Sequence, residues 1–372
     1  MKIAVVRGDF LSGWEMPIFE PWLKRHEVTL FLGKKLVGNK FEIPKGFKVE
    51  RLFSPVDLNF GQVRRLLMAI LNRLFIDAHV LFGLEEGLKG YDVVYIAETF
   101  YKFCWQAVQA KKKGYVKAVV AHIGENILFN NEGIWGRKKL KQEVIAGVDK
   151  FICITNRAKK VLIKEGADPK KIIRLTQGID LERFRKSHEA HETNGINGKI
   201  RLLTVSRLVP EKGIKEMVEI TTRLRQDYGG QVEFIVVGNG PEERWLNKKW
   251  ITHIPKVPHE KMPTIYNGAD IYLHFPVGSK TWLEQWGFVI AESMACGLPV
   301  VALDRGSVRE VVGKGGMVVK NEKEFSGRIR ELIGDIRERK KWSKIAAEFA
   351  KKNYDVKKYS KEVEEVLAEC QK

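Results

Sequence analysis

The sequence predicts an α/β protein of two domains, each a parallel sheet wound with helices. Three observations carry this. The chain has 372 residues, more than one hydrophobic core usually sustains. Short Val- and Ile-rich runs bounded by Gly, Pro and polar residues alternate with segments of helical period, the pattern of strands joined by crossover helices. No apolar run approaches the roughly 18 to 20 residues of a membrane span, and the 44% hydrophobic content is ordinary for a globular chain.

In the first half, strands are expected at 2–6, 28–32, 47–53, 93–97, 118–121, 150–155 and 171–175. Arg7, Gly8 and Asp9 interrupt the opening apolar run, so it reads as a first strand and not as a secretory signal. In a doubly wound sheet the loops at the carboxyl ends of strands line the ligand crevice. The first such loop holds Gly13, which lets backbone approach a phosphate closely. The strand at 118–121 ends in His122, at the same edge. Segment 60–82 places Val63, Leu67, Ile70, Leu71, Leu74, Phe75 and Ala78 at helical spacing, with Arg64, Arg65 and Arg73 alongside. It either packs against the sheet or presents a basic amphipathic surface to a membrane. The polar stretch 188–198 contains two glycines and reads as a linker. The domains are therefore expected at 1–186 and 199–350.

In the second half, strands are expected at 200–206, 233–237, 269–275, 299–303, 308–312 and 316–319. The first stops at Arg207, and Lys212 follows on the same loop, between Pro210 and Gly213. Two cations so placed can converge on one diphosphate. Gly238-Asn239-Gly240 begins like a dinucleotide fingerprint but lacks its third glycine and its downstream ribose acid, which disfavours a dehydrogenase. These glycines are read as a tight turn lining a donor crevice.

The stretch 282–304 organises the chain. Glu284 lies in a loop, a helix opens at Gly287 and Phe288, and Glu292 follows eight residues after the first Glu. The first-turn N–H groups of Gly287, Phe288 and Val289 suit a phosphate. Carboxylates repel phosphate but accept hydrogen bonds from hydroxyls. A ligand that satisfies both is a nucleotide sugar.

This pattern resembles the E-x7-E signature of the retaining glycosyltransferases of family 4, and the resemblance extends over essentially the whole chain. It implies the GT-B fold: two facing Rossmann-like domains with an interdomain cleft, acceptor held by the first and nucleotide sugar by the second. A final helix, about 354–372, would cross back onto the first domain. By the same resemblance Glu292 holds the donor ribose, Glu284 contacts the sugar, and Arg207 with Lys212 clamps the diphosphate. His122 would contact the transferred sugar, and the main chain around Val257 would read the base. No D-x-D occurs in the sequence, so two cations and a helix terminus are expected to neutralise the leaving group without metal or other cofactor. The resemblance implies retention; with no nucleophilic carboxylate evident, the favoured mechanism is front-face displacement, with the donor phosphate accepting the acceptor's proton.

The formal charge of +19 is uneven: residues 1–186 hold 34 Lys and Arg against 20 Asp and Glu, giving +14. An anionic partner is expected, either a phospholipid surface carrying a lipid-linked acceptor or a phosphorylated acceptor. Nucleic acid is a weak candidate, because aromatic residues are not interleaved with the basic runs. The four cysteines form no C-x-x-C pair, so thiols in a reducing compartment are expected. The cytoplasm, or the inner face of its membrane, is the expected location. The enzymatic rivals are a sugar phosphorylase and a nucleotide-sugar epimerase on the same fold. A basic nucleotide- or RNA-binding module is the rival without chemistry.

Overall fold

The computed structural model of the chain describes residues 1–36, 41–58, 64–187 and 198–371, and the side chains of 64 and 65 are outside that description. Val63 and residues 188–197 of the expected linker also lie outside it. Two compact units form, one of residues 1–176 with 356–372, the other of residues 177–355.

The first unit is built on seven strands: β1 (Lys2–Gly8), β2 (Glu27–Gly33), β3 (Lys48–Leu52), β4 (Tyr91–Ala97), β5 (Val116–Ile123), β6 (Lys150–Cys153) and β7 (Ile172–Arg174). Their order is β3-β2-β1-β4-β5-β6-β7, and every pairing is parallel. A parallel sheet must be covered on both faces, and the alternation of side chains along each strand supplies both. Ala4, Val6, Val94 and Ile96 enter one core; Ile3, Val5, Val93 and Tyr95 enter the other. The helix Val356–Glu369 belongs to this second core. Trp22 Nε1 donates to Ser360 O at 3.1 Å, and Ser360 Oγ donates to Ile18 O at 2.6 Å.

The second unit has six strands: β8 (Ile200–Val205), β9 (Val232–Val237), β10 (Ile251–Ile254), β11 (Ile271–His274), β12 (Val300–Leu303) and β13 (Met317–Val319). They lie in the order β10-β9-β8-β11-β12-β13, again all parallel. Leu202, Phe234, Leu273 and Val301 are fully buried in its core, each contributing roughly 1.5 to 3 kcal/mol by burial.

Three sequence expectations change. Residues 308–312 form a helix, Val308–Val312, not a strand. Val308, Val311 and Val312 are buried while Arg309 is exposed, a helical spacing that a run of β-branched residues disguises. β10 was not expected; its ladder to β9 runs from Ile251↔Phe234 to Ile254↔Val237. Residues 177–186, assigned by sequence to the first domain, belong to the second unit. Ile179 N–H donates to Tyr354 O at 2.8 Å, and Phe184 packs on the rings of His259 and Tyr266.

Among the described residues no helix is long and apolar enough to cross a membrane. The helix Arg64–Leu74 nevertheless turns Leu66, Ile70 and Leu74 outward, 65%, 49% and 71% exposed.

Candidate active site

In each unit the two central strands lead to opposite sides of the sheet, and the loops at their carboxyl ends form the natural ligand crevice. In the second unit these are the loops after β8 and β11. The sequence joins them through backbone. Glu211 O accepts from Val277 N–H at 3.0 Å and from Gly278 N–H at 3.2 Å. Gly213 has φ +67°, and a Cβ there would stand 2.1 Å from Phe275 O, so only glycine lets the β8 loop lie against the end of β11.

That contact delivers Lys212 to Glu284. Lys212 Nζ is 2.7 Å from Glu284 Oε2, and lies 4.3 Å from the centre of the Trp282 ring. His274, buried at the end of β11, places Nε2 at 3.1 Å from the same carboxylate oxygen. Burial by itself would raise the Glu284 pKa. The Lys212 cation and the His274 hydrogen bond outweigh it and hold the group at about 2. The main chain of Glu284 is fixed by Ser307, whose N–H donates to Glu284 O at 2.9 Å. Arg207, on the same loop as Lys212, is exposed.

Gly238 and Gly240 shape the neighbouring loop. A Cβ on Gly238 would lie 1.8 Å from Ser206 O, and one on Gly240 2.4 Å from Leu208 O. The β9 loop can therefore press against the β8 loop, and Leu208 N–H donates to Asn239 O at 2.9 Å. The glycines support the segment that carries Arg207. Val257 is half-buried in the loop after β10.

The helix Phe288–Ala295 opens at Gly287, which has φ 77°. Phe288 packs edge-on against Trp286, with centroids 4.8 Å apart, and Val289 is half-buried. Glu292 is buried. His259 Nε2 lies 2.8 Å from its Oε1, and Tyr266 Oη donates to its Oε2 at 2.8 Å. Both carboxylates of the E-x7-E spacing are thus already held by neighbouring side chains. Sequence reasoning missed His274, His259, Tyr266 and Trp282. His274 ends a strand at the crevice edge and was legible on that ground; His259 and Tyr266 carry no local signal.

Gly13 and His122 belong to the first unit. Gly13 opens a short 3-10 turn, Gly13–Glu15, and its missing Cβ faces Phe41 at 3.2 Å. His122 ends β5, stacked at 6.2 Å on Tyr95; burial and the nearby Arg7 cation push its pKa down to about 3, so the ring is neutral near pH 7. Nearby, Glu98 directly follows β4 with φ 68°, a left-handed conformation costly for a non-glycine residue. It accepts from the N–H groups of Gly124 at 3.0 Å and Glu125 at 3.3 Å. Burial, reinforced by the Glu125 charge, raises its pKa to about 7.

Among the described residues no group of three or more His, Cys, Asp or Glu is arranged to hold a metal ion. The second unit's crevice offers a paired lysine, an exposed arginine and two oriented carboxylates. Such a set can bind an anionic group beside hydroxyls.

Known proteins resemble the chain in sequence over its second half and in fold over its whole length. Residues 186–349 match the family model for glycosyl transferases group 1. The GPI3 subunit of phosphatidylinositol N-acetylglucosaminyltransferase from Saccharomyces cerevisiae is 28% identical over 196 residues, covering 50% of this chain and 42% of that protein. The D-inositol 3-phosphate glycosyltransferase of Rhodococcus erythropolis is 26% identical over 215 residues, covering 52% and 48%. The aligned part of the chain thus spans less than half the length of these two relatives. Among solved structures, Anabaena HepE in complex with UDP and glucose superposes with a TM-score of 0.73 at 18% identity, over 99% of each chain. Residues 186–349 thus match a glycosyl transferase group 1 domain, and the chain's two parallel-sheet units have the Rossmann-like α/β fold of the GT-B glycosyltransferases.

Proposed function

We propose that this chain is a retaining glycosyltransferase that moves a hexose or related sugar from a nucleoside diphosphate sugar to an acceptor hydroxyl. The observation that carries this is the Lys212–Glu284 pair at 2.7 Å, on two loops that the sheet order brings together. Lys212 has three N–H donors and spends one on Glu284; the others, with Arg207, suit the oxygens of a leaving diphosphate. Glu284 stays ionised to accept from a sugar hydroxyl, and Glu292 serves the ribose. Gly238, Gly240, Val257, Gly287, Phe288 and Val289 line the nucleotide and phosphate seat. In this reading no metal is required, and the donor phosphate takes the acceptor's proton in a front-face displacement. The first unit, with Gly13 and His122, binds the acceptor.

The complex of the fold relative with UDP and glucose favours a uridine donor. Two sequence relatives named for phosphatidylinositol and D-inositol 3-phosphate favour a cyclitol-bearing, lipid-linked acceptor. The test is release of nucleoside diphosphate from UDP-glucose, UDP-N-acetylglucosamine and GDP-mannose, each with and without a phosphatidylinositol acceptor. Acceptor-dependent turnover of at least one donor is expected. Release only when inorganic phosphate is added would make the chain a phosphorylase.

The first unit docks on an anionic membrane in this reading. Trp135 is 90% exposed and lines a groove with Ala69, Asn72 and Arg73 of the Arg64–Leu74 helix. Leu66, Ile70 and Leu74 are exposed on that helix, and Arg73, Lys138 and Lys139 are exposed nearby. Apolar residues and an indole rimmed by cations match a bilayer with anionic headgroups, each cation contributing on the order of 1 kcal/mol. Trp135→Ala should lower cosedimentation with phosphatidylserine vesicles at low salt. Equal binding to neutral phosphatidylcholine vesicles would remove the electrostatic part of this reading.

A further inference from the structure

The first unit contains a second constellation at its own switch point, where the loops after β1 and β4 meet the segment of Asp77 and His79. Asp9 follows β1 and is 95% buried, since its exposure is 5%. Its Oδ1 makes no hydrogen bond. His79 Nε2 lies 3.9 Å from it, too far for a direct bond. His79 is fixed from its other side: Nδ1 lies 2.8 Å from Asp77 Oδ1. Asp77 in turn receives Lys102 N–H at 2.7 Å and Arg137 at 3.1 Å. The His79 ring packs against Phe10 at 5.0 Å and Tyr101 at 5.2 Å, and its side chain keeps 20% exposure, so the pair lies just beneath the surface.

A buried carboxylate oxygen without a partner is costly, and the structure around it is built with care. Asp77 accepts from Nδ1–H, and, against burial, the charges of Asp77 and Asp9 favour a proton on Nε2 as well, the atom that faces Asp9. An oxygen placed between Asp9 Oδ1 and His79 Nε2 lies within hydrogen-bonding reach of both, because two bonds of about 2.8 Å span the 3.9 Å separation. We propose that Asp9 and His79 form a seat for one hydroxyl of the acceptor's polyol, with the hydroxyl donating to Asp9 Oδ1 and accepting from His79 Nε2–H. Phe10 and Tyr101, packed on each other at 4.7 Å, give the seat an aromatic wall for the carbons that carry the hydroxyl. A phosphate suits the seat poorly: Asp9 and Asp77 both face His79, and Asp57 adds a third negative charge near Asp9. The phosphate-binding cations of this chain are on the β8 loop.

This inference rests on the reading of the first unit as the acceptor-binding one, and it is tested separately from the donor. The full chain, labelled with ¹⁵N-histidine, is titrated with myo-inositol, D-glucose, glycerol and inorganic phosphate; His79 is assigned from His79→Gln. The expected result is a saturable shift of the His79 Nε2 resonance with at least one polyol, weakened about tenfold or more in Asp9→Asn and abolished in Asp9→Ala. Thermal stabilisation by UDP should be unchanged in both variants. Failure of every polyol to move the resonance, an equal shift in Asp9→Ala, or a larger response to phosphate than to any polyol would overturn the seat. Failure of UDP to stabilise even the wild type would count against the proposed uridine donor, and the His79 signal would still decide the fate of the seat.

Discussion

The two units use the same device with opposite electrostatics. Each places a carboxylate after a central strand of a doubly wound parallel sheet. In the second unit Glu284 meets a lysine at 2.7 Å and is held ionised, at about 2. In the first unit Glu98 meets backbone N–H groups and the negative Glu125, and rises to about 7; Asp9 is likewise raised, chiefly by burial. The frame fixes where the loops go, and the charge partner fixes what the carboxylate does there. A cation-paired crevice suits a diphosphate, whereas one of raised carboxylates suits hydroxyls.

The largest test of this contrast is Lys212→Ala. A loss of about 3 kcal/mol or more in transition-state stabilisation, above 100-fold in kcat/KM, is expected from removing a preorganised cation. Stability should fall too, because Glu284 is 7% exposed and would be buried without its lysine. The double variant Lys212→Ala, Glu284→Gln should regain stability in urea melts without regaining turnover. Arg207→Ala separates the two effects, because the residue is exposed: a rate loss of similar order is expected with an unchanged melt. Wild-type turnover in Arg207→Ala would confine the clamp to Lys212.

The pH dependence of stability should split in the same way. The Glu284 pKa falls from an ordinary 4.5 to about 2, so its contribution is present above 4.5 and is lost as pH drops through that window. The Glu98 pKa rises from 4.5 to about 7, so folding binds its proton and stability falls as pH climbs from 4.5 to 7. Each is worth on the order of 3 kcal/mol. Urea melts from pH 3 to 8 on the wild type, Glu284→Gln and Glu98→Gln should differ in these two separate ranges. Parallel curves would show that the electrostatic contrast is wrong.

The smallest expected effect is that of EDTA. On the proposal that Lys212 and Arg207 serve the diphosphate, turnover should change by less than about twofold, because two fixed cations would replace the metal. Complete loss restored by Mg²⁺ or Mn²⁺ would show that the lysine, already engaged by Glu284, does not suffice.

The sequence by itself determined the sheets. Short buried strands have a local signature of β-branched residues between breakers, and twelve of the thirteen strands among the described residues lie in or beside the stretches where that signature places them. It also brought Arg207, Lys212, Glu284 and Glu292 forward, because a cation pair on a strand-end loop and two Glu residues around a helix start are visible as spacings. The same local signature misled at Val308–Val312, where the alternation of buried and exposed residues became clear only on the folded helix. Tertiary structure alone decided which groups meet. That Lys212 settles on Glu284, that Tyr266 and His259 hold Glu292, and that Asp9 faces His79 across 3.9 Å depends on strand order. Strand order arises from long-range packing of whole elements, and no short window of sequence contains it.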